Sequence, residues 1–224
     1  MSNISRRSLF KEMAVFSAAA VILPILASTA AEVEQSVQQQ KAISKNADAI
    51  FRPPVTPVAG NPNGDVSVVE FFDYNCPYCR RALPDVLKLI NQDGKVRLVL
   101  KELSILSDDS VAAAKLALAA NKQGKYFEMH QKLFSESGRA NKDKALRIAK
   151  ELGLDIAQLQ KDAENPDIKK ALNENKELAV KLDLEGTPMF LIGDRVIGGA
   201  PDDLFDQLKA KVAEVRQNGC ASTC

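Results

Sequence analysis

The chain has 224 residues, of which 46% are hydrophobic and 26% are charged, with 11 glycines and 10 prolines. This composition fits one globular domain with modest additions, and it excludes a disordered chain, a collagen-like chain and a multispanning membrane protein. The formal net charge is +1, so we expect no strongly basic face, and nucleic acid is a poor candidate partner.

The first 31 residues have the organisation of an export signal. Arg6 and Arg7 precede an uncharged stretch, residues 13–31, which is rich in Ala, Val, Ile and Leu and ends in small residues. A basic region, an apolar region and a small-residue end are the parts of a signal peptide, and the arginine pair resembles the twin-arginine type. We predict cleavage after Ala30 or Ala31 and an exported protein; the alternative is an uncleaved membrane anchor.

Residues 32–64 are predicted to form a helix and a linker that precede the folded domain. Apolar residues recur at mostly three- or four-residue spacing over residues 32–51, which predicts a weakly amphipathic helix. They are Val33, Val37, Ile43, Ala47 and Ile50. Prolines and glycines between residues 53 and 64 then predict an extended connector. We expect the helix to form a homo-oligomer, because it has no core of its own to cover; packing on the same subunit is the alternative.

The folded domain is predicted over residues 65–215, with an α/β order of elements. The near-continuous apolar run of its first strand predicts that this strand is buried on both faces. In chain order the elements are a strand at 66–72, a helix to residue 91, a strand at 96–101, helices over 104–183, a hairpin at 189–197, a helix at 202–215 and a tail at 216–224. The first strand, helix and strand form a parallel βαβ unit.

A Cys-x-x-Cys motif lies at the predicted junction between the first strand and the first helix of this domain. Unpaired N–H groups and the macrodipole at a helix N-terminus stabilise a thiolate. This favours Cys76 as the nucleophile and Cys79, one turn further on, as the resolving thiol. Arg80 and Arg81 add positive charge close by.

Other interpretations of the cysteines and of the single histidine stay open on these residues alone. A zinc site would need Cys220 and Cys224 as the second ligand pair, although those two residues could equally close a small disulfide in the tail. A protein without catalytic activity could use the motif's dithiol to hold copper or zinc. His130 lies on an amphipathic helix, where a packed or solvated histidine is the ordinary outcome.

Two sequence stretches flank the helical middle of the domain: Val68–Cys79, which ends in Cys-Pro-Tyr-Cys, and Glu185–Gly193, which contains Thr-Pro. Together with that helical middle they resemble the DsbA-like branch of the thioredoxin superfamily, and within it the Com1 and ScsC group of periplasmic thiol-disulfide oxidoreductases. The resemblance implies a thioredoxin-like fold with a helical insertion, a periplasmic location and no cofactor. It further implies that the chain forms or isomerises disulfides in unfolded or misoxidised exported proteins, with a membrane redox partner.

The resemblance also implies roles for four further residues. The Thr187-Pro188 bond would be cis and would face the nucleophilic sulfur, presenting main-chain groups to an extended substrate. In the family, threonine before this proline is more frequent in isomerases and reductases. Glu70, the one charge in the first strand, would lie beneath the active site with Lys101 and assist proton transfer to the resolving thiol. The alternative is that both side chains point to solvent.

Overall fold

The computed structural model describes residues 22–53 and 56–220, with side chains from residue 33 onward. Arg6, Arg7 and Cys224, which carry two of the expectations above, lie outside the described residues. The expected cleavage position at Ala30 and Ala31 lies within a helix of the whole chain. None of the helices in the described ranges combines the length and apolarity needed to cross a bilayer.

Nine helices and five strands occur within the described residues. The helices are α1 Ile22–Lys45, α2 Ala47–Phe51, α3 Pro77–Gln92, α4 Asp108–Asn121, α5 Tyr126–Ser135, α6 Lys142–Glu151, α7 Ile156–Ala163, α8 Pro166–Lys181 and α9 Leu204–Asn218. The strands are β1 Val58–Gly60, β2 Val66–Phe72, β3 Val96–Glu102, β4 Met189–Ile192 and β5 Arg195–Gly198.

The five strands form one mixed sheet in the order β1-β3-β2-β4-β5. Strands β2 and β3 are parallel and are joined through α3, as the sequence predicted, whereas β1, β4 and β5 each pair antiparallel with their neighbours. All seven residues of β2 are buried, as expected for a central strand with both faces covered. Helices α4 to α8 lie between β3 and β4 in the chain, so the predicted helical insertion is observed.

Alternation along β2 and β3 divides the core into two sides, because successive side chains of a strand point to opposite faces. Val68, Leu98 and Leu100 belong to a larger cluster that includes residues of α3, α9 and the helical insertion. Val69 and Val99 belong to a smaller cluster that includes residues of α1, α2 and α8. We call these sides the α3 face and the α2 face.

The described residues divide into two compact units, with the boundary between Gln38 and Gln39. In the first unit, α1 carries Val33 and Val37, which are both exposed. In the second unit, Ile43 and Ile50 are fully buried on the α2 face. The predicted helical character of residues 32–51 is therefore correct, but the prediction that the whole apolar stripe lies outside the domain is wrong. Its second half covers the sheet of its own chain.

Two cations of β3 bind the carbonyl end of α2. Lys101 Nζ donates to the Ala49 carbonyl at 2.6 Å, and the guanidinium of Arg97 donates to the Phe51 carbonyl. The last carbonyls of a helix have no partner within it, so these two side chains satisfy groups that burial would otherwise leave unpaired. The contacts explain why α2 belongs to the folded domain.

The predicted extended connector also contributes to the sheet. Residues 58–60 form β1, which pairs with β3 from Val58 opposite Val99 to Gly60 opposite Arg97. Gly60 has φ +68, and a Cβ there would lie 2.7 Å from the Val96 carbonyl, so the close approach requires glycine. The boundary predicted at residue 65 is therefore wrong, because prolines on either side of a three-residue edge strand do not prevent its pairing.

Replacing Ile50 by alanine tests this revised boundary. Ile50 is 0% exposed and Val37 is 40% exposed. We expect Ile50→Ala to lower the free energy of unfolding by about 2–4 kcal/mol, and Val37→Ala to change it by no more than about 0.5 kcal/mol. Denaturant unfolding of both variants measures the two effects. Equal, small effects would show that α2 does not stabilise the domain.

Candidate active site

The two thiols of the Cys-x-x-Cys motif lie at the start of α3. Cys76 is the N-cap residue of α3 and Pro77 occupies the first turn, where its missing N–H costs nothing. Cys76 and Cys79 are both buried free thiols. The strand-to-helix arrangement predicted from the sequence is therefore present, and it places Cys76 beside the free N–H groups of α3.

Thr187, the residue before Pro188, lies directly against the Cys76 sulfur. The Thr187-Pro188 bond is cis, and Cys76 Sγ lies 3.1 Å from the Thr187 carbonyl oxygen. Pro188 leads into β4, and its own carbonyl accepts a 2.8 Å hydrogen bond from Gly199 N–H. The structure therefore contains the cis Thr187-Pro188 bond facing Cys76 that the resemblance implied.

The turn between β2 and Cys76 is anchored by Asp73. Its Oδ1 accepts from the Asn75 N–H at 2.8 Å, and its Oδ2 accepts from the N–H groups of Ile105 and Leu106 at 3.0 Å each. The Asp73 carbonyl accepts from Cys76 N–H at 3.0 Å. Asp73 therefore fixes the backbone of the nucleophile to the loop that follows β3.

A second anchor of the same turn is Asn75, whose side chain reaches the helical insertion. It donates to Ser110 Oγ at 3.0 Å and to the Ala140 carbonyl at 2.9 Å, and it accepts from Ala140 N–H at 2.8 Å. Sequence reasoning missed both anchors. Their signal is the side-chain chemistry of Asp and Asn, which favour turns by hydrogen bonding to nearby backbone.

The two thiols differ strongly in acidity. The hydrogen bond from Cys79 is the largest cause that lowers the pKa of Cys76 to about 6, with help from the N–H groups of Tyr78 and Cys79 and against the effect of burial. Burial is the largest cause that raises the pKa of Cys79, followed by its hydrogen bond to Cys76 and the charge of Glu70. At neutral pH, Cys76 is a thiolate and Cys79 holds its proton, which matches a nucleophile and a resolving thiol.

Arg80 and Arg81, which the sequence placed as positive charges close to Cys76, are not among the causes that lower the pKa of this thiol. Arg80 donates to the carbonyls of Phe134 and Glu136, at the end of α5. Arg81 donates to the Ala200 carbonyl, and its guanidinium carbon lies 5.1 Å from the centre of the Tyr78 ring. The guanidinium groups therefore join α3 to neighbouring loops, and the low pKa of Cys76 has other causes.

Glu70 lies on the α3 face of β2 and is buried. Burial is the main cause that raises its pKa to about 8, and the charge of Cys76 is the second. Each sulfur of the motif therefore interacts electrostatically with this carboxyl. The expectation that Glu70 lies beneath the two thiols agrees with these interactions, and the alternative that it points to solvent is wrong.

Lys101 is not the partner of Glu70. In the parallel register of β2 and β3, Lys101 stands opposite Phe71, while Glu70 stands opposite Leu100. Because neighbours in register share a face of the sheet, Lys101 lies on the α2 face. Burial lowers its pKa to about 8. The expected acid–base pair is therefore absent from these two positions, since a difference of one residue in register places the side chains on opposite faces.

A second buried acid, which sequence reasoning missed, lies at the end of β3. Both Tyr74 and Tyr126 donate hydroxyl hydrogen bonds to Glu102 Oε1, at 3.0 Å and 2.8 Å. The Tyr74 hydroxyl also lies 3.3 Å from His130 Nδ1. His130 is buried, and burial lowers its pKa to about 3, so the histidine is packed and neutral. We call these four residues the Glu102 cluster.

Three exposed hydrophobic side chains belong to the Cys-x-x-Cys motif and to the loop that binds Asp73. They are Tyr78 of the motif, and Ile105 and Leu106, whose N–H groups bind Asp73. A cavity of about 700 Å³ beside this loop is lined by the loop residues 104–107 together with Arg139 and Lys176. The loop after β3 therefore exposes two apolar side chains that line this cavity.

Cys220 differs from the two thiols of the motif, because it is disulfide-bonded. A Cβ built on Gly193, in the turn between β4 and β5, would lie 2.9 Å from the Cys220 Cβ, so Cys220 lies against this hairpin. Within the part of the chain that the structure describes, no three His, Cys, Asp or Glu side chains are grouped as metal ligands.

The sequence is similar to one known family and to several known proteins. Residues 53–212 match the sequence model of the family described as Thioredoxin. The chain is 30% identical over 166 residues to the probable disulfide bond formation protein D of Bacillus cereus, covering 68% of this chain and 75% of that protein. It is also 31% identical over 140 residues to a Na⁺/H⁺ antiporter NhaA of Salinispora arenicola, but it spans only 22% of that longer protein.

Solved structures extend the similarity to the fold. A thioredoxin-like oxidoreductase from Silicibacter pomeroyi is 48% identical, with a TM-score of 0.74 over 77% of this chain and 98% of its own. The thiol-disulfide exchange protein α-DsbA2 of Wolbachia pipientis is 32% identical, with a TM-score of 0.75 over 82% and 98% of the two chains. A mutant ScsC of Proteus mirabilis is 28% identical, with a TM-score of 0.78 over 92% and 99%. The predicted thioredoxin-like fold and the predicted resemblance to DsbA-like and ScsC proteins are confirmed.

The replacement of Cys79 by alanine tests what makes Cys76 acidic. We expect the pKa of Cys76 to rise from about 6 toward that of an ordinary thiol, because the largest stabilising hydrogen bond is lost. Cys79→Ser keeps a donor at this position and should raise the pKa less. Thiolate absorbance against pH measures both variants. A pKa of Cys76 that stays at about 6 in both variants would show that the helix N–H groups set the acidity without Cys79.

Proposed function

The chain belongs to the thioredoxin family, and on that basis we propose that it is an exported thiol-disulfide oxidoreductase that forms or isomerises disulfides in periplasmic proteins. One observation carries the proposal: a thiol whose pKa is lowered to about 6 lies 3.1 Å from the carbonyl of a cis-proline pair and beside a thiol that keeps its proton. The thiolate is the reactive form in disulfide exchange.

The exchange proceeds through a mixed disulfide. In oxidation, a client thiolate attacks Cys76 of the Cys76–Cys79 disulfide; a sulfur–sulfur bond to the client forms and Cys79 leaves, taking up a proton. A second client thiolate attacks the client sulfur, closes the client disulfide and releases Cys76 as a thiolate. The two electrons remain on the Cys76–Cys79 pair, and a membrane redox partner removes them. In isomerisation, the Cys76 thiolate attacks a wrong client disulfide and a client thiol later displaces it.

Glu70 serves this cycle as a buried proton acceptor. In the reverse of the first oxidation step, Cys79 attacks the mixed disulfide and releases the client. Cys79 must then lose its proton, although burial strongly raises its pKa. A carboxyl with a pKa raised to about 8 is close to the operating pH, where a general base works best. Lys101 lies on the other face of the sheet and has no part in this step.

The clients fit the surroundings of the site. Tyr78, Ile105 and Leu106 are about half exposed, at 54%, 49% and 52%, and neighbouring apolar side chains on a surface mark an interaction site. Unfolded or misoxidised exported proteins expose apolar segments together with their cysteines, and can contact this surface while Cys76 reacts.

We also propose that the chain self-associates through α1, although with fewer residues than the sequence predicted. Of the stripe that we assigned to a homo-oligomer, Val33 and Val37 are exposed, and these two residues support it. Several Cys76 centres around one client would raise the local concentration of thiolate and favour repeated exchange. Export itself rests on the predicted signal peptide. No observation of the described residues favours the alternative of a copper- or zinc-binding protein over catalysis.

Mixed disulfides provide the test of the proposed reaction. We expect Cys79→Ser to accumulate disulfide-linked complexes with exported proteins through Cys76, because attack occurs but the resolving thiol is missing. Cys76→Ser is the matched control and should trap none. Non-reducing electrophoresis and mass spectrometry identify the linked cysteine. Equal trapping by the two variants would show that the roles of the two thiols are wrongly assigned.

The pair Glu70→Gln and Lys101→Met separates the two buried residues that the sequence placed together. We expect Glu70→Gln to slow release of a model thiol from its mixed disulfide with Cys76 by about tenfold at neutral pH, because the proton acceptor is lost. Lys101→Met should leave this rate unchanged and lower only the free energy of unfolding, because it removes the contact with the Ala49 carbonyl. Stopped-flow release and denaturant unfolding distinguish the effects. A slow release in Lys101→Met would restore the acid–base pair.

A further inference from the structure

Glu102 is a buried acid for which the exchange cycle has no use. It is 0% exposed and is the last residue of β3. Its Oε1 accepts both tyrosine hydroxyl hydrogen bonds, whereas its Oε2 has no partner among the described residues. A buried carboxyl with one unpaired oxygen costs free energy, so its presence beside the active site requires a reason.

Tyr74 connects this carboxyl to the nucleophile. It stands between Asp73 and Asn75, the two anchors of the turn that ends at Cys76. Its side chain is buried, and its ring packs at 5.2 Å from Phe72 between ring centroids. The turn is therefore held at three successive residues, and the middle one is held through its bond to the carboxyl at the end of β3. Tyr126 makes the same bond from α5 and has no backbone connection to the turn.

We propose that Glu102 is a positioning residue for thiol-disulfide exchange, which holds the Cys76 turn through the Tyr74 hydroxyl. The proposal rests on the proposed function above. The carboxyl receives Tyr74 from the turn and Tyr126 from the helical insertion on one oxygen atom, so it also fixes the insertion to the sheet at this point. Cys76 then stays aligned with the Cys79 thiol and with the N–H groups that lower its pKa.

The carboxyl acts here as a neutral hydrogen-bond acceptor. Burial is the largest cause that raises the pKa of Glu102 far above its ordinary value; the two tyrosine hydrogen bonds oppose it, and the charges of Asp73 and Glu70 add to it. His130, the other titratable group of the cluster, is neutral because burial lowers its pKa. A neutral acceptor can be replaced by an amide without loss of its function. This makes glutamine the conservative substitution.

Two tyrosine variants form a matched test. Tyr74→Phe and Tyr126→Phe each remove one buried hydroxyl from the same oxygen of Glu102, so each loses a similar hydrogen bond. We expect Tyr74→Phe to lower the rate at which Cys76 reacts with iodoacetamide by about tenfold at neutral pH, and to raise the pKa of Cys76. Tyr126→Phe should lower the thermal midpoint but leave the rate and the pKa of Cys76 as in the unaltered protein.

Glu102→Gln and Glu102→Leu complete the experiment. The amide keeps an acceptor for both tyrosines and should retain the reactivity of Cys76 within about twofold, whereas leucine should reproduce the loss seen in Tyr74→Phe. Mass spectrometry confirms that the alkylated residue is Cys76. Alkylation needs no client protein, so failure of the proposed function would leave this result unaffected. Equal effects of the two tyrosine variants on Cys76, or normal reactivity in Glu102→Leu, would overturn the proposal. Should Glu102→Leu not fold, the tyrosine pair decides.

Discussion

The contact between Cys76 Sγ and the Thr187 carbonyl joins positions 111 residues apart in the chain, and much of the architecture serves to close that distance. Strand β4 pairs antiparallel with β2 in a register that sets Met189 opposite Phe71, which brings the preceding Thr187-Pro188 pair to the end of β2 from which the Cys76 turn leaves. The helical insertion begins after β3 and returns the chain to β4. Its helices therefore have to pack so that the first and the last residues of the insertion both lie at the sheet.

The two faces of the sheet have opposite electrostatic character in their buried groups. The α3 face carries the carboxyls of Glu70 and Glu102 with the thiols, and the α2 face carries the cations Arg97 and Lys101, which bind helix carbonyls. The sheet lies between these two sets of groups, and burial is the largest cause that shifts the pKa of each acid. This cause raises the pKa of Glu70 to about 8 and the pKa of Glu102 far above its ordinary value.

Local patterns predicted much of this arrangement, and long-range pairing explains what they missed. The apolar run of β2 and the position of Cys76 at a helix start are local features, and the sequence was sufficient for both. The prediction of a Glu70–Lys101 pair was wrong because the register between β2 and β3 decides which side chains share a face. The sequence of either strand alone does not determine this register. Strand β1 was missed because three residues are too few for a period to be visible. The apolar residues of α1 and α2 predicted that one side of these helices is covered by another surface. They did not predict that this surface is the sheet of the same chain.

The amine of Lys101 beneath α2 couples the attachment of this helix to proton binding. With α2 in place the pKa of the amine is about 8, and its ordinary value in water is 10.5. Detachment of α2 would give the amine access to water, and between these two pH values it would take up a proton. By linkage, detachment becomes harder as pH rises through this range, and below pH 8 the attached state carries the full cost of burying a charge. The attachment of α2 to the sheet is therefore weaker at the acid end of this pH range than at its alkaline end.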